Sequence, residues 1–449
     1  MHHIILSFEF PKISPEAKFF LVRFVQLYGL DKPVQLGVKE LSKATGATDR
    51  VVSHSLDELV ATELLNRREI VNGARGRNKR EHQCTSQLIK LLEEKSNSTP
   101  LAHEQRIDHV LQGASQQDGS ELSINNRLLL SVLLGHADQF GVVRHLGISG
   151  LSKLTGLNHD RVKAQLHKFL DSGIFRSSVP GATNSNLFRP TKSVHFLNLH
   201  HALLSQDQPT MRLLVIVPED SSRMTAAAWI VQAAQDYDKK GGFDLHKQTL
   251  EFLPSDLHYK GLAALFSSLT KTPRLISLLQ TKLDGYASLL LSNNWEKIVR
   301  NEPFEDRPIL ERIEREFKLP VRSATNDEIA LQKAEWDRTL PKFIYEVSFR
   351  LAIKTKEILL HIDGLETKEI AISILPSGNA NGHHTGTTVL LINGSEQVTQ
   401  GKCEIFFWNN RHKKLTPRAS LSEINIPTND QYHYGLLTAP KRLNSRKSS

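Results

Sequence analysis

The sequence predicts an α+β fold, and three observations lead to that prediction. The pattern Leu-Gly-x-x-x-Leu-Ser-Lys-x-Thr-Gly occurs twice, at residues 36–46 and 146–156, with an offset of 110 residues. An amphipathic helical stretch and short strand-like runs follow each copy. From residue 343 onward, strand-like runs alternate with glycines. We interpret the repeat as an internal duplication and expect two small domains, followed by a helical and then a β-rich region.

In the first copy, residues 38–45 are predicted to form a short helix that ends at Gly46. Glycine at this position can adopt the left-handed conformation that closes a helix. Thr48 lies at the N-cap of a second helix, residues 49–62, where its side-chain oxygen can accept a free backbone N–H. The apolar face of that helix consists of Val52, Leu56, Leu59 and Val60.

The second copy has the same arrangement. Gly156 ends its first helix, and Asn158 is the N-cap of its second. The apolar face of this second helix consists of Val162, Leu166, Phe169 and Leu170. A helix, a tight turn with glycine and an amphipathic helix make a helix-turn-helix motif. In DNA-binding proteins the second helix of this motif enters the major groove.

A basic hairpin is predicted directly after the first motif. Residues 64–71 form one strand, Asn72-Gly73 is a strong hairpin signal, and a return strand lies near residues 82–85. Six basic residues accompany the acid Glu69: Arg67, Arg68, Arg75, Arg77, Lys79 and Arg80. An apolar helix at residues 16–30 precedes the motif and supplies the third helix of its core. A hairpin in this position is a wing.

Residues 15–95 therefore resemble a winged-helix domain, similar in layout to the MarR, PadR and ArsR groups of bacterial repressors. The resemblance implies binding to double-stranded DNA. Arg75-Gly76-Arg77 also resembles the core of AT-hook peptides, in which arginines lie in a narrow minor groove and glycine lets the backbone approach the groove floor. A solvated basic hairpin with no ligand is the alternative interpretation.

The second module is predicted to use its helix rather than its wing. Its second helix is the more basic of the two, whereas the wing at residues 180–186 carries no charge. We expect the first module to hold phosphates and the minor groove through its wing, and the second to read DNA through its helix. A winged helix that binds protein is the alternative for this copy, because one fold serves several uses.

The predicted domain organisation has five parts. Residues 1–90 form the first winged-helix domain, and residues 91–122 form a polar linker with a short helix near residues 104–111. Residues 123–204 form the second winged-helix domain. Residues 205–440 form an α+β domain of unknown role, and residues 441–449 form a basic tail that is expected to be disordered.

Within residues 205–440, local patterns predict specific elements. Strands are expected at residues 211–217, 343–353, 370–375, 387–392 and 403–408. Helices are expected at residues 225–237, 311–318 and 327–338, and at residues 259–299 with breaks at Pro273 and Gly285.

Composition limits the class of protein. The net charge is +9 and the pI about 9.3, which favours a polyanionic partner. The two cysteines, Cys84 and Cys403, cannot form a disulfide framework or a cysteine-based zinc site, so a reducing compartment is expected. No apolar run is long enough to span a membrane. We expect a cytoplasmic, nucleoid-associated location.

Catalytic and metal-binding motifs are not predicted. No nucleophile-elbow motif accompanies the Ser, His and Asp residues. Residues 378–384 are glycine-rich but lack the P-loop lysine, and we predict a loop between strands there. His195, His200 and His201 have no neighbouring cysteines or carboxylates in the sequence. We therefore expect a protein that is not an enzyme and has no cofactor or metal.

The leading hypothesis is sequence-specific binding of double-stranded DNA in transcriptional regulation, with the C-terminal half serving oligomerisation or partner contact. A plasmid or phage replication initiator, which also uses two winged helices, is the alternative. A DNA-tethered enzyme or a protein-interaction scaffold is a third. The predicted DNA-binding residues are Thr48, Arg50, Ser53, His54, Arg75, Arg77, Lys79, Arg80, Asn158, His159, Arg161, Lys163, His167 and Lys168.

Overall fold

The protein has a mixed α and β structure, in agreement with the predicted class. The computed structural model describes residues 2–70, 79–95, 101–113, 122–183, 185–204, 211–219, 223–240, 262, 265–318, 326–362, 370–376, 383–384, 386–393 and 402–438. The chain divides into two compact units. Unit 1 comprises residues 1–174 and 197–206, and unit 2 comprises residues 175–196 and 207–449.

Unit 1 is mainly helical. Its described helices are α1 (His2–Ile5), α2 (Pro15–Tyr28), α3 (Val38–Thr45), α4 (Asp49–Ala61), α5 (Ser86–Lys95), α6 (Glu104–Gln112), α7 (Ile124–Gly135), α8 (Ile148–Thr155) and α9 (His159–Asp171). Its strands are β1 (Leu65–Ile70), β2 (Lys79–Cys84) and the short β3 (Val142–Val143). The core consists of apolar side chains from α2 and α7, most of which are fully buried.

The first helix pair is confirmed almost to the residue. α3 ends at Gly46, which has the left-handed φ of 70°. The hydroxyl oxygen of Thr48 accepts the backbone N–H of Val51 at 3.4 Å and caps α4. α4 buries Val52 and two further apolar residues of the predicted face, Leu56 and Leu59, against α2.

The second pair repeats this geometry. α8 ends at Gly156, with a φ of 76°. The amide oxygen of Asn158 accepts the backbone N–H of Arg161 at 2.8 Å and caps α9. α9 buries Val162 and Phe169, while Leu166 and Leu170 are half-buried. The internal duplication is therefore a structural repeat of helix, glycine turn and helix.

The helix that precedes each repeat, α2 for the first and α7 for the second, packs against the glycine turn of the other repeat. The ammonium of Lys18 on α2 donates a hydrogen bond to the carbonyl of Leu154, at the end of α8. A Cβ on Gly156 would lie 3.3 Å from the carbonyl oxygen of Ile13, just before α2. Reciprocally, a Cβ on Gly46 would lie 3.3 Å from the guanidinium of Arg127 on α7. Each of these helices therefore contacts the helix-turn-helix of the other repeat.

The region predicted as a linker, residues 91–122, contains more structure than a coil. The predicted short helix is present as α6, and it packs on α7 through Ile107, Val110 and Leu111, which are buried. α5 extends into this region as far as Lys95. The polar runs at residues 96–100 and 114–121 lie outside the described residues. Because α6 belongs to the core of unit 1, the region is not an extended spacer over its full length.

Unit 2 is a mixed sheet with helices. Its strands are β4 (Phe175–Val179), β5 (Val194–Leu197, whose last residue belongs to unit 1), β6 (Arg212–Pro218), β7 (Arg223–Met224), β8 (Ile370–Leu375), β9 (His383–His384), β10 (Thr387–Asn393), β11 (Lys402–Asn409) and β12 (Lys414–Ser422). Its described helices include α10 (Ala226–Lys240), α11 (Pro273–Val299), α12 (Arg307–Glu316), α13 (Asn326–Leu359) and α14 (Thr428–His433).

The main sheet has five strands in the order β12-β11-β6-β10-β8. β6 is the central strand, parallel to β11 and antiparallel to β10. α11 packs on β8, where the hydroxyls of Ser288 and Ser292 accept the backbone N–H groups of Ile374 and Ile372 at 2.9 and 2.8 Å. Because β6 precedes the helices in the chain and lies at the sheet centre, the helical and β-rich regions form one layered structure.

Two predicted elements of unit 2 are wrong. Residues 343–353 were predicted as a strand but belong to α13, which buries Phe343, Ile344, Val347 and Ala352 at helical spacing. Gly285 was predicted as a helix break, but α11 continues through it, and its non-helical residue is Asn294, with a φ of −131°. The remaining predicted strands are present, and β12 is an additional strand. None of the described helices is both long and apolar enough to cross a membrane.

Candidate nucleic-acid interface

α4 and α9 each bury one face and expose a polar face. The exposed residues on or just before α4 include Thr48, Arg50, Ser53 and His54. Those on or just before α9 include Asn158, His159, Arg161, Lys163, His167 and Lys168. All the predicted contact residues of the two helices are therefore accessible, and each set lies on one helix and its cap.

The two exposed faces differ in charge. On α4, Arg50 is accompanied by the acids Asp49 and Asp57, and Asp57 receives a hydrogen bond from Arg67 on β1 at 2.7 Å. On α9, Lys163 lies 3.5 Å from Asp160, a pair of exposed side chains. Exposed ion pairs of this kind contribute little to the stability of the folded state. Their cations therefore remain available to another anion. α9 is the more basic surface, as the sequence predicted.

The base of the first hairpin is formed as predicted. β1 and β2 are antiparallel, with Glu69 opposite Arg80 and Ile70 opposite Lys79. The Arg80 guanidinium lies 3.7 Å from the Glu69 carboxylate, and both side chains are about half exposed. Arg75 and Arg77 lie outside the described residues, as does the side chain of Lys79. The structure thus positions the start of a basic hairpin next to α4.

A third segment joins this hairpin. Val34 and His82 exchange two backbone hydrogen bonds, of 2.9 and 3.0 Å. His82 is buried, and burial lowers its pKa to about 4, with a further lowering from Arg67 and Arg80. A neutral His82 ring then accepts a 3.3 Å hydrogen bond from the Nε of Arg67. The hairpin is therefore anchored at its base by a buried, uncharged histidine.

The end of the segment predicted as the second wing, at Ser185, and two residues just beyond it, Leu187 and Phe188, contact other parts of unit 2. The carbonyls of Ser185 and Leu187 accept hydrogen bonds from the side chain and backbone of Lys318, at 3.1 and 2.8 Å. The ring of Phe188 packs on Phe317 with a centroid distance of 5.3 Å. These contacts hold the end of the predicted wing and the residues that follow it against the C-terminal end of α12.

A partly buried cluster of charged groups lies next to that contact. The Glu316 carboxylate binds Lys282 at 2.5 Å and accepts hydrogen bonds from the Tyr286 hydroxyl and the Arg312 guanidinium, both at 2.8 Å. Burial alone would raise the pKa of Glu316, but the two cations outweigh it and lower the pKa to about 2. The Lys282 ammonium also lies 5.9 Å from the Phe317 ring centroid. The cluster is a structural support for the end of α12.

The histidines considered in the sequence have structural surroundings. His195 is buried, with Nδ1 2.9 Å from the Ser178 hydroxyl, and burial lowers its pKa to about 4. His200 is buried, and the ring of His201 lies 3.2 Å from the carbonyl oxygen of Ser172. Residues 377–382 of the glycine-rich loop lie outside the described residues.

A group with metal-ligand geometry was missed by the sequence analysis. Among the described residues, His2, His3 and Asp108 bring three ligand atoms within 4.8 Å of one another. The adjacent histidines were a local signal, but Asp108 is separated from them by more than a hundred residues. Only the packing of α1 near α6 brings the carboxylate to them.

The accessible side chains of α4 and α9 are suited to contacts with an anionic polymer. Arg50 and Arg161 can donate paired hydrogen bonds to phosphates or to base edges. Lys163 and Lys168 carry point charges suited to phosphate. No protein-family model and no curated protein sequence matches this chain.

Proposed function

We propose that the protein binds double-stranded DNA sequence-specifically through two winged-helix modules and acts as a transcriptional regulator. The observation that carries the proposal is the repeated arrangement of α3–α4 and α8–α9. Each pair is joined by a left-handed glycine, and each second helix is capped and exposes its polar face. A helix of this kind fits the major groove, which is wide enough to admit it.

The charge distribution supports a nucleic acid as the partner. The exposed face of α9 carries Arg161, Lys163 and Lys168, and the hairpin after α4 carries Arg80. The whole chain has a net charge of +9. Cations that neutralise phosphates release counterions from DNA, and this release drives association at moderate salt.

The two modules contribute differently in this proposal. In the first module, the described strands β1 and β2 follow α4 and carry the exposed Arg80, and we expect this hairpin to track the backbone or the minor groove. In the second module, the end of the equivalent segment contacts Lys318 through the carbonyl of Ser185, so we expect α9 to carry the DNA contacts of that module. One chain should therefore recognise an asymmetric site in which the two halves are read by different surfaces.

The test is a salt titration with full-length protein. DNA selected from a random pool by the wild-type chain is labelled, and its affinity is measured by fluorescence anisotropy from low to physiological salt. Replacing Arg161, Lys163 and Lys168 with alanine should weaken binding and flatten the log–log slope by roughly 0.9 for each lost phosphate contact. Where Arg161 reads a guanine, its loss alone costs about 1–3 kcal/mol at that base pair.

Arg307→Ala, which removes one exposed arginine from α12 in unit 2, is the matched control for the single Arg161→Ala variant. It should leave both the affinity and the slope unchanged. If Arg307→Ala and Arg161→Ala lose equal affinity, the loss reflects the overall charge of the chain and not a contact made by α9. An unchanged slope in the triple α9 variant would refute DNA contact by that helix. Sequencing DNA recovered with the protein distinguishes a regulator, which enriches single promoters, from a replication initiator, which enriches iterated repeats.

A further inference from the structure

Two histidines and an aspartate converge in unit 1, away from the exposed faces of α4 and α9. The Nε2 atoms of His2 and His3, on α1, lie 2.6 and 2.7 Å from one oxygen, Oδ1 of Asp108 on α6. The two imidazole rings are close together, with a centroid distance of 3.8 Å. Three potential ligand atoms therefore point to one place, from two helices that are distant in sequence.

The surroundings have the features of a built site. The histidine side chains are largely buried, whereas that of Asp108 is about one-third exposed. The site is thus enclosed by protein on most sides and open to water on one. An open position beside three protein ligands is the usual arrangement of a zinc site that keeps a bound water.

Two further polar groups lie next to the candidate ligands. The side-chain amide of Gln26 donates to Oδ1 of Asp108 at 2.9 Å. The carboxylate of Glu104 lies 3.8 Å from Nδ1 of His3, which is longer than a hydrogen bond. The Gln26 amide is therefore the group that can orient the Asp108 carboxylate, as hydrogen-bonded neighbours of metal ligands do.

We propose that His2, His3 and Asp108 bind a divalent transition-metal ion of the zinc class. Two imidazole nitrogens and one carboxylate oxygen match the ligands of zinc, cobalt and nickel, whereas magnesium and calcium prefer oxygen ligands alone. Zinc ligands lie about 2.0–2.1 Å from the metal, which places tetrahedral ligands roughly 3.3 Å apart. The two Nε2–Oδ1 contacts, now 2.6 and 2.7 Å, would have to lengthen to that distance when a metal binds.

The position of the site gives the metal a structural effect. α1 packs on α2, the helix that precedes the first repeat, and α6 packs on α7, the helix that precedes the second. A metal held by both α1 and α6 links elements that flank the two repeats. A ligand that binds only the folded state stabilises it by mass action, so the metal should raise the unfolding temperature of the chain.

The experiment uses the full-length chain after removal of metal with a chelator. Cobalt(II) chloride is titrated in and followed by visible absorption, and zinc chloride is then added to displace it. Because the chain has 20 histidines, variants must distinguish this site from others. Asp108→Asn and His3→Gln each remove one ligand. His109→Gln, at the next position of α6, is the matched control.

We expect one equivalent of cobalt to bind with a ligand-field spectrum and to be displaced by zinc. Asp108→Asn and His3→Gln should weaken binding at least tenfold and abolish the zinc-dependent rise in unfolding temperature, whereas His109→Gln should behave as the wild type. Unfolding curves without metal show whether each variant folds, and either ligand variant suffices if the other does not fold. A wild-type chain without the spectrum, or a folded ligand variant that retains it, would overturn the proposal.

Discussion

Lys18 is a cation in the interior of unit 1. Its ammonium donates a 2.6 Å hydrogen bond to the carbonyl of Phe8 and a further bond to the carbonyl of Leu154. Burial lowers its pKa to about 7, although Glu9 acts in the opposite direction. The side chain therefore links the two repeats through a group that is partly neutral near physiological pH.

This residue should give the protein a specific pH dependence. The unfolded chain holds the Lys18 proton up to its ordinary pKa of 10.5, whereas the folded chain releases it near pH 7. Between these values the unfolded state binds more protons, so the contribution of Lys18 to the free energy of unfolding rises with pH. It is constant below and above that window.

Chemical denaturation at pH 6 to 10 tests this expectation. The stability difference between wild type and Lys18→Met should shift in favour of the wild type as the pH rises. The exposed Lys12→Met variant should show no such trend. A constant difference between wild type and Lys18→Met would mean that Lys18 keeps its proton in the folded protein.

Residue-scale features were predictable where they are local. Thr48 and Asn158 were identified as N-caps because a cap involves only the next three residues. The partner of Lys18 could not be identified, since the Leu154 carbonyl is 136 residues away. The same applies to Asp108, the third member of the cluster with His2 and His3.

At the scale of elements, glycines have opposite roles in α8 and α11. Gly156 closes α8 with a φ of 76° and lies against the carbonyl of Ile13. Gly285 lies inside α11 with helical geometry, and nothing lies within 4 Å of where its Cβ would be. A side chain is therefore strained at the first position and accommodated at the second.

Alanine substitutions should separate these roles. Gly285→Ala should raise the free energy of unfolding by about 0.5–1 kcal/mol, because it improves helix propensity and restricts the unfolded chain. Gly156→Ala should lower it by about 1–2 kcal/mol through left-handed strain. Urea denaturation followed by circular dichroism measures both, and a destabilised Gly285→Ala variant would contradict an open position inside α11.

The strand predicted at residues 343–353 shows why some elements could not be assigned from the sequence. This stretch is rich in aromatic and β-branched residues, which favour strands. The same residues also place Phe343, Ile344 and Val347 on one helical face, which packs against α11. In a short apolar run, the spacing of apolar residues alone does not distinguish a helix from a strand. Packing against the rest of the fold decides which of the two forms.

At the scale of the whole molecule, residues 175–196 belong to unit 2 together with residues 207–449, although residues 197–206 lie between them in the sequence. Arg176 forms a buried, two-bonded ion pair with Glu423, with distances of 2.5 and 2.7 Å. The carbonyl of Arg176 also accepts the backbone N–H of Thr438 at 2.9 Å. The predicted boundary at residue 204 would separate this segment from partners that lie more than two hundred residues further along the chain.

A chain that ends at residue 205 should therefore be less stable than the full-length protein. It leaves the Arg176 guanidinium without its carboxylate and exposes Phe188. Removing one partner of a buried ion pair costs about 3–5 kcal/mol, so full-length Glu423→Gln should also be destabilised by this amount. Thermal unfolding compares the three proteins. A shortened chain that unfolds at the full-length temperature would show that residues 175–196 need nothing from residues 207–449.

Because the two repeats belong to one chain and contact each other, their association does not change with protein concentration. Proteins that read two half-sites with two identical subunits must first assemble, so their occupancy of DNA falls when dilution separates the subunits. Here the two halves are joined in one polypeptide and packed through Lys18 and Arg127. When both repeats bind DNA as proposed, a single chain fills one site, and pairing of these halves does not depend on protein concentration.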